Sequence, residues 1–284
     1  MDLKKIAEEI REVVEKRKNE LELSFFEEEH VYFMKDIDGN HKNDFPSVSK
    51  IVKKFHVEFD SEKKALEMSN GDRNKANKLL SEWATAGNRA TSMGSRAHYF
   101  LESELISQYG NYKNIREPIF DCDDILVDRS NSMIVAGKEY IDLMHERGAV
   151  LLDTEMVLGD PELGYVGQPD KVWLIPNKDK TSYGIAITDW KTNQERKFEI
   201  QRYTIKMLPP FEIYYDTALT HYFIQLPLYG KLLLKMLKDS KFKDLKLYGC
   251  VIAHLKDDKT FKEYKVPQEI TNTVLKLNVK DYLK

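Results

Sequence analysis

Two carboxylates and a lysine mark the segment GYVGQPDKVWLIPNKDKTSYGIAITDWKTN: Asp170, Asp189 and Lys191. An acid followed two residues later by lysine is weak information in this chain. Eight such triplets occur, most of them among other charges, where a solvated face is the ordinary outcome. Asp189 differs because it ends the apolar run Ile185-Ala186-Ile187 and is followed by Trp190. A carboxylate in that setting is expected to be partly buried, which costs several kcal/mol unless a cation or hydrogen bonds compensate.

The apolar runs on either side of PNKDKTS predict a hairpin centred on Asp179 and Lys180. That symmetry sets Asp170 directly opposite Asp189 on adjacent antiparallel strands. Lys191, two residues on, shares the face of Asp189. A slip of one residue would undo the arrangement. Facing carboxylates repel unless something positive sits between them, and a hard divalent cation such as Mg²⁺, with oxygen ligands at about 2.0–2.1 Å, meets that need. Lys191 would then orient or help deprotonate an attacking water and stabilise charge developing on a phosphate. The plainer alternative is two surface acids with a salt-bridging lysine.

Pro169-Asp170 followed by Asp189-Trp190-Lys191-Thr192 resembles the PD-(D/E)XK nuclease superfamily, in the form of its RecB-like branch. Two further segments are similar to that branch. MGSRAHYFLE offers Gly94, Ser95, His98 and Glu102, and Gln225-Leu-Pro-Leu-Tyr229 offers a Q-x-x-x-Y helix. The resemblance covers residues 94–229 and implies a mixed sheet flanked by helices, with Mg²⁺- or Mn²⁺-dependent cleavage of DNA. It implies metal ligation by Asp170 and Asp189 with help from the Trp190 carbonyl, a catalytic Lys191, and a third acid upstream, for which Glu155 is the candidate. The branch's iron–sulfur members use four cysteines. This chain has two, Cys122 and Cys250, which points to compact mitochondrial or phage-type exonucleases.

Read from spacing alone, His98 and Glu102 are i and i+4 on one helix face and would both approach one metal or phosphate. The alternative is a surface pair worth a few tenths of a kcal/mol. Ser95 is expected to cap that helix and Gly94 to permit close approach, giving an N-terminal anion site with Arg96 beside it. Gln225 and Tyr229 likewise share a face; they are either a polar rung or contacts to the active site and nucleic-acid backbone, as Thr192 would be. Pro227 between them should distort the helix.

The expected elements follow from periodicity. A charged amphipathic helix covers 2–19, one or two short strands 21–34, and a short helix starts after Pro46-Ser47. Residues 61–109 read as helical, interrupted near Gly71 and between Gly87 and Gly94, and a second helix covers 130–147. Apolar runs at 149–158, 164–175 and 183–190 predict a β-meander, followed by a helix at 216–238 and a strand at 245–255. The expected fold is α/β: a mixed central sheet flanked by helices in one nuclease domain. Residues 1–60 form an N-terminal helix and strands, 61–148 a helical lobe and 149–284 the catalytic core.

The 284 residues carry a net charge of −3, so a uniformly basic coat is excluded. Positive charge concentrates at 63–98, which nets +4 with Arg89 and Trp83 as candidate backbone and stacking contacts, and at 231–246, also +4. A solvated helix face is the alternative for both. The spacing of neither a helix-turn-helix nor a zinc finger is visible, so backbone contacts should dominate. With no apolar run of membrane length and no secretory leader pattern, a cytoplasmic protein is expected. The function expected is a metal-dependent DNA exonuclease acting on single-stranded ends in recombination, repair or replication. A structure-specific endonuclease of the same core and a non-catalytic DNA-binding subunit are the alternatives.

Overall fold

The computed structural model describes residues 2–283 except 27, 30, 111, 195–197 and 199–204. Helix α1 (Leu3–Leu21) starts on the Asp2 carboxylate, which accepts from two free N–H groups. Then come β1 (Ser24–Phe26), β2 (Val31–Lys35) and β3 (His41–Lys42), a small antiparallel sheet, and the helices α2 (Val48–Val52), α3 (Ser61–Met68), α4 (Arg73–Gln108) and α5 (Asp124–Glu146). The second half runs β4 (Val150–Thr154), β5 (Leu158–Asp160), β6 (Tyr165–Gly167), β7 (Lys171–Pro176), β8 (Tyr183–Lys191), α6 (Ala218–Met236), β9 (Leu247–Leu255), β10 (Phe261–Lys265) and α7 (Gln268–Lys276).

The chain is α/β, with a mixed five-stranded sheet in the order β10-β9-β8-β7-β4 flanked by helices. β4, β7 and β8 are antiparallel neighbours, whereas β8 and β9 are parallel, and the crossover between them contains α6. Alternation divides the apolar side chains between two cores. Val172, Leu174, Ile185 and Ile187 join Ile10 of α1, Ile51 of α2, Leu228 of α6 and Ile270 of α7. Trp173, Ala186 and Trp190 face the other way, onto Met93, Ala97 and Leu101 of α4 and Ala136 and Tyr140 of α5. The site therefore lies in a sheet held from both sides.

The predicted hairpin register is present: Lys171 pairs with Thr188 and Val172 with Ile187, so Asp170 stands opposite Asp189 at the end of the ladder. The meander is corrected. β5 and β6 pair with each other in a separate ribbon, and β4 pairs directly with β7. The reason is local, because Glu155 adopts φ 45°, which turns the chain out of the sheet after Thr154. The expected interruption at Gly87–Gly94 is also absent, for α4 breaks from α3 only at Ser69–Asp72. Glycine lowers helix propensity by about 1 kcal/mol, and without a following proline or a left-handed residue it does not end a helix. Ser95 is consequently mid-helix and caps nothing. Asp72 is the cap, so the expected anion site at the start of a Ser95 helix does not exist. Pro227 lies inside α6 without ending it. Among the described residues, no helix is long and apolar enough to cross a membrane.

Candidate active site

Three strand ends meet here. Thr154 pairs with Lys171, and Lys171 with Thr188. The next residues, Glu155, Asp170 and Asp189, therefore stand side by side across β4, β7 and β8. The Glu155 N–H donates to the Asp170 carbonyl at 3.0 Å, and Gln168 Nε2 donates to the Glu155 carbonyl at 3.0 Å, which fixes the turn. A non-glycine residue at positive φ stores strain that the surrounding bonds must hold. Lys191 Nζ is 2.6 Å from Asp189 Oδ2 and 4.5 Å from the centre of the Tyr222 ring.

Helix α4 brings His98 to the same point. Its Nε2 donates to the Trp190 carbonyl at 2.8 Å, which sets Nδ1 3.2 Å from Asp170 Oδ2. One ligand atom each from His98, Asp170 and Asp189 lies within 4.8 Å of the other two. In the neutral ring, the Nδ1 lone pair faces a carboxylate oxygen, so a proton or a cation belongs between them. Asp170 Oδ2 and Asp189 Oδ1 are buried and receive no well-formed hydrogen bond. Buried acceptors of this kind require an explanation, and either a proton shared between the two carboxyls or a divalent cation supplies one. The two carboxylates fit Mg²⁺, and the imidazole beside them suits Mn²⁺ better. The Trp190 carbonyl is already engaged by His98, which leaves its second lone pair for the expected metal contact.

The electrostatics of the acids divide their roles. Burial works against ionisation of Asp170, but the charge of Lys171 and hydrogen bonding with Asp189 and His98 outweigh it and hold this carboxyl well below the usual range. Asp189 is pushed up to about 8, first by burial and then by the charge of Asp170. The pair therefore shares one proton. Glu155 is raised well above its ordinary value by burial, Asp170 and Glu102. Lys191 is raised: burial opposes its charge, but Asp189 and Asp170 outweigh burial.

The flanking motifs have separate structural partners. Glu102 accepts from Thr154 Oγ1 at 2.8 Å and lies 3.8 Å from Lys113 Nζ, so it reaches the end of β4 rather than the His98–Asp170–Asp189 cluster. Gly94 lies against Thr192: a Cβ there would meet Thr192 Oγ1 at 2.9 Å, which is why a residue without a side chain suits the crossing of α4 over the end of β8. Gln225 Nε2 donates to the Tyr229 hydroxyl at 2.8 Å. The Tyr229 ring packs on Gly167, and burial pushes the pKa of its phenol up, with the charges of Asp170 and Asp189 adding to the effect.

A cleft of about 1420 Å³ opens onto His98, Glu102 and Glu155. Ser95 lines it, and so do Lys18, Lys113, Arg116, Tyr99 and Phe120. Of the expected nucleic-acid contacts, Arg89 is paired with Asp123 at 2.8 Å, and Arg96 donates to Ser130 and Asn131 at 3.1 and 2.9 Å, so both seal α4 against the start of α5. Trp83 pairs loosely with Phe59, with ring centres 6.5 Å apart, on the exposed first half of α4. Within the second basic stretch, Lys231 donates to carbonyls at the end of α7, Lys235 pairs with Glu162 and Lys241 with Glu9, so these lysines pin elements together.

Sequence reasoning missed Lys171, Lys113 and the 112–120 loop. Lys171 is fully buried, 3.6 Å from Asp170 Oδ2 and 3.3 Å from the centre of the Trp190 ring. Its signal was visible as a single charge opening the apolar strand Val172–Ile175. Compared with protein-family models and with curated proteins, the chain matches none.

Proposed function

We propose that this protein is a metal-dependent deoxyribonuclease of the PD-(D/E)XK type, an exonuclease that hydrolyses phosphodiester bonds from single-stranded DNA ends in recombination, repair or replication. The observation that carries the reading is the alignment of Glu155, Asp170 and Asp189 on three adjacent strand ends, with Lys191 on Asp189 and His98 Nδ1 on Asp170. Asp170, Asp189 and His98 would hold the cation. When bound, Mg²⁺ or Mn²⁺ supplies Lewis-acid polarisation of the scissile phosphate.

The remaining work falls to the chain itself. Lys191 keeps its proton, because the acids beside it favour the charged form, so it orients the water and stabilises charge on the phosphate rather than acting as the base. Glu155, whose proton affinity burial and the neighbouring acids raise, would take the proton from the attacking water. Ser95, in the cleft wall, would contact the backbone; Thr192, packed against Gly94 just after β8, would act by positioning the strand end. Lys113 and Arg116 would neutralise phosphates, while Tyr99 and Phe120 offer faces for unpaired bases, which favours a single strand over a duplex.

End-labelled linear single-stranded DNA and a closed single-stranded circle, incubated with Mg²⁺, test the reading. Degradation of the linear DNA with survival of the circle is expected. A nicked circle would make the enzyme an endonuclease. Undiminished DNA binding without cleavage in Mg²⁺ or Mn²⁺ would make it a binding subunit.

A further inference from the structure

Away from the acid cluster, a second set of metal-ligating side chains converges from three parts of the chain. His56 follows the turn Lys53–Phe55, Asp216 ends the stretch that leads into α6, and His221 lies in the first turn of α6. One ring nitrogen of each histidine and one carboxylate oxygen lie within 4.8 Å of one another. His221 Nε2 is 2.6 Å from Asp216 Oδ1; His56 Nδ1 is 3.1 Å from the Val57 carbonyl and 3.9 Å from Asp216 Oδ2. The two rings stack with centres 4.4 Å apart.

We propose that His56, Asp216 and His221 form a second metal site, which takes one transition-metal dication of the Zn²⁺ class and leaves a coordination position for water or an outside ligand. Two imidazoles and one carboxylate select such an ion over Mg²⁺, which prefers an all-oxygen shell. Three protein ligands are one short of the closed tetrahedron of a purely structural zinc site. The framework is assembled without the ion. The Leu208 N–H donates to the Phe55 carbonyl at 2.7 Å, Phe55 packs on Phe211, and the Asp216 N–H donates to the Ile205 carbonyl at 3.0 Å. An ion here would tie the residue following Phe55 to the start of the helix that carries Gln225 and Tyr229.

The site shares no residue with the acid cluster, and its test does not use DNA cleavage. The full chain carrying Asp170→Asn and Asp189→Asn, stripped with EDTA, is titrated with Co²⁺ and with Zn²⁺. One equivalent should bind, with visible d–d absorption for Co²⁺ and a rise in Tm on the order of 5 °C for saturating Zn²⁺. Adding His56→Gln and His221→Gln should weaken binding at least about 100-fold. Circular dichroism checks that the metal-free variants fold. If the histidine variants do not, the isosteric Asp216→Asn is read in their place, with the same loss expected. No equivalent in the parent, or one that persists without these ligands, overturns the proposal.

Discussion

At the scale of single residues, the proposed function makes a proton and a cation competitors for the same place between Asp170 and Asp189. Asp189 holds its proton to about pH 8, so a cation that enters below that pH must displace it. Mg²⁺ binding at pH 7 is therefore predicted to release about one proton, with affinity rising roughly tenfold per pH unit until about pH 8. Calorimetry in buffers of different ionisation enthalpy measures the release. The same proton sets the stability of the metal-free protein. The unfolded chain loses it near 3.8 and the native state near 8, so over that window the native state binds more protons and stability falls as pH rises. Glu155 acts in the same sense. Asp170, lowered in the fold, acts in the opposite sense, but its contribution is already complete above about pH 4. The Tm of metal-free wild type should decline from pH 5 to pH 8, and Asp189→Asn should flatten that decline. An identical slope in the variant would remove Asp189 as its source.

At the scale of elements, α4 delivers His98 and β7–β8 deliver the acids, and Gly94 against Thr192 sets the spacing between them. Gly94→Ala should gain up to about 1 kcal/mol of helix propensity yet lower cleavage about ten- to a hundredfold, because the added methyl pushes α4, and His98 one turn later, away from the strand end. On a Thr192→Ala background the same change should cost little, and a double-mutant cycle measures the coupling. These elements were unequally legible in the sequence. The β7–β8 register could be read because two apolar runs flank a polar turn symmetrically, and Asp170 and Asp189 followed from it. The positive φ of Glu155 could not, since no glycine marks it, and with it went the separation of β5 and β6. β10 and α7 escaped notice because Phe261–Lys265 carries three charges on an edge strand and α7 is short. The union of His56 with Asp216 and His221 depends on tertiary packing around Phe55, which leaves no local pattern.

At the scale of the whole molecule, the cleft beside the acids is mixed in charge: Arg11, Lys18, Lys113 and Arg116 line it together with Glu12, Glu15, Glu102, Asp153 and Glu155. The basic helices anticipated as a DNA surface are partly occupied by internal pairing; in the 112–120 loop Lys113 donates to the Thr154 carbonyl at 2.9 Å, while Arg116 lines the opening. The two cores on either face of the sheet hold α4 and α6 on opposite sides of the acids, so that His98 and Tyr229 approach the same strand ends from two layers. The central claim is that these acids are a metal-dependent hydrolytic centre. Its most direct test is the single-turnover rate of cleavage of linear single-stranded DNA in Mg²⁺ by the wild type and by Asp189→Asn, which keeps size and removes the charge. The account predicts cleavage by the wild type that EDTA abolishes, and a loss of at least about 10³-fold in the variant. A wild type inert in both Mg²⁺ and Mn²⁺, or a variant that cleaves at the wild-type rate, would contradict it.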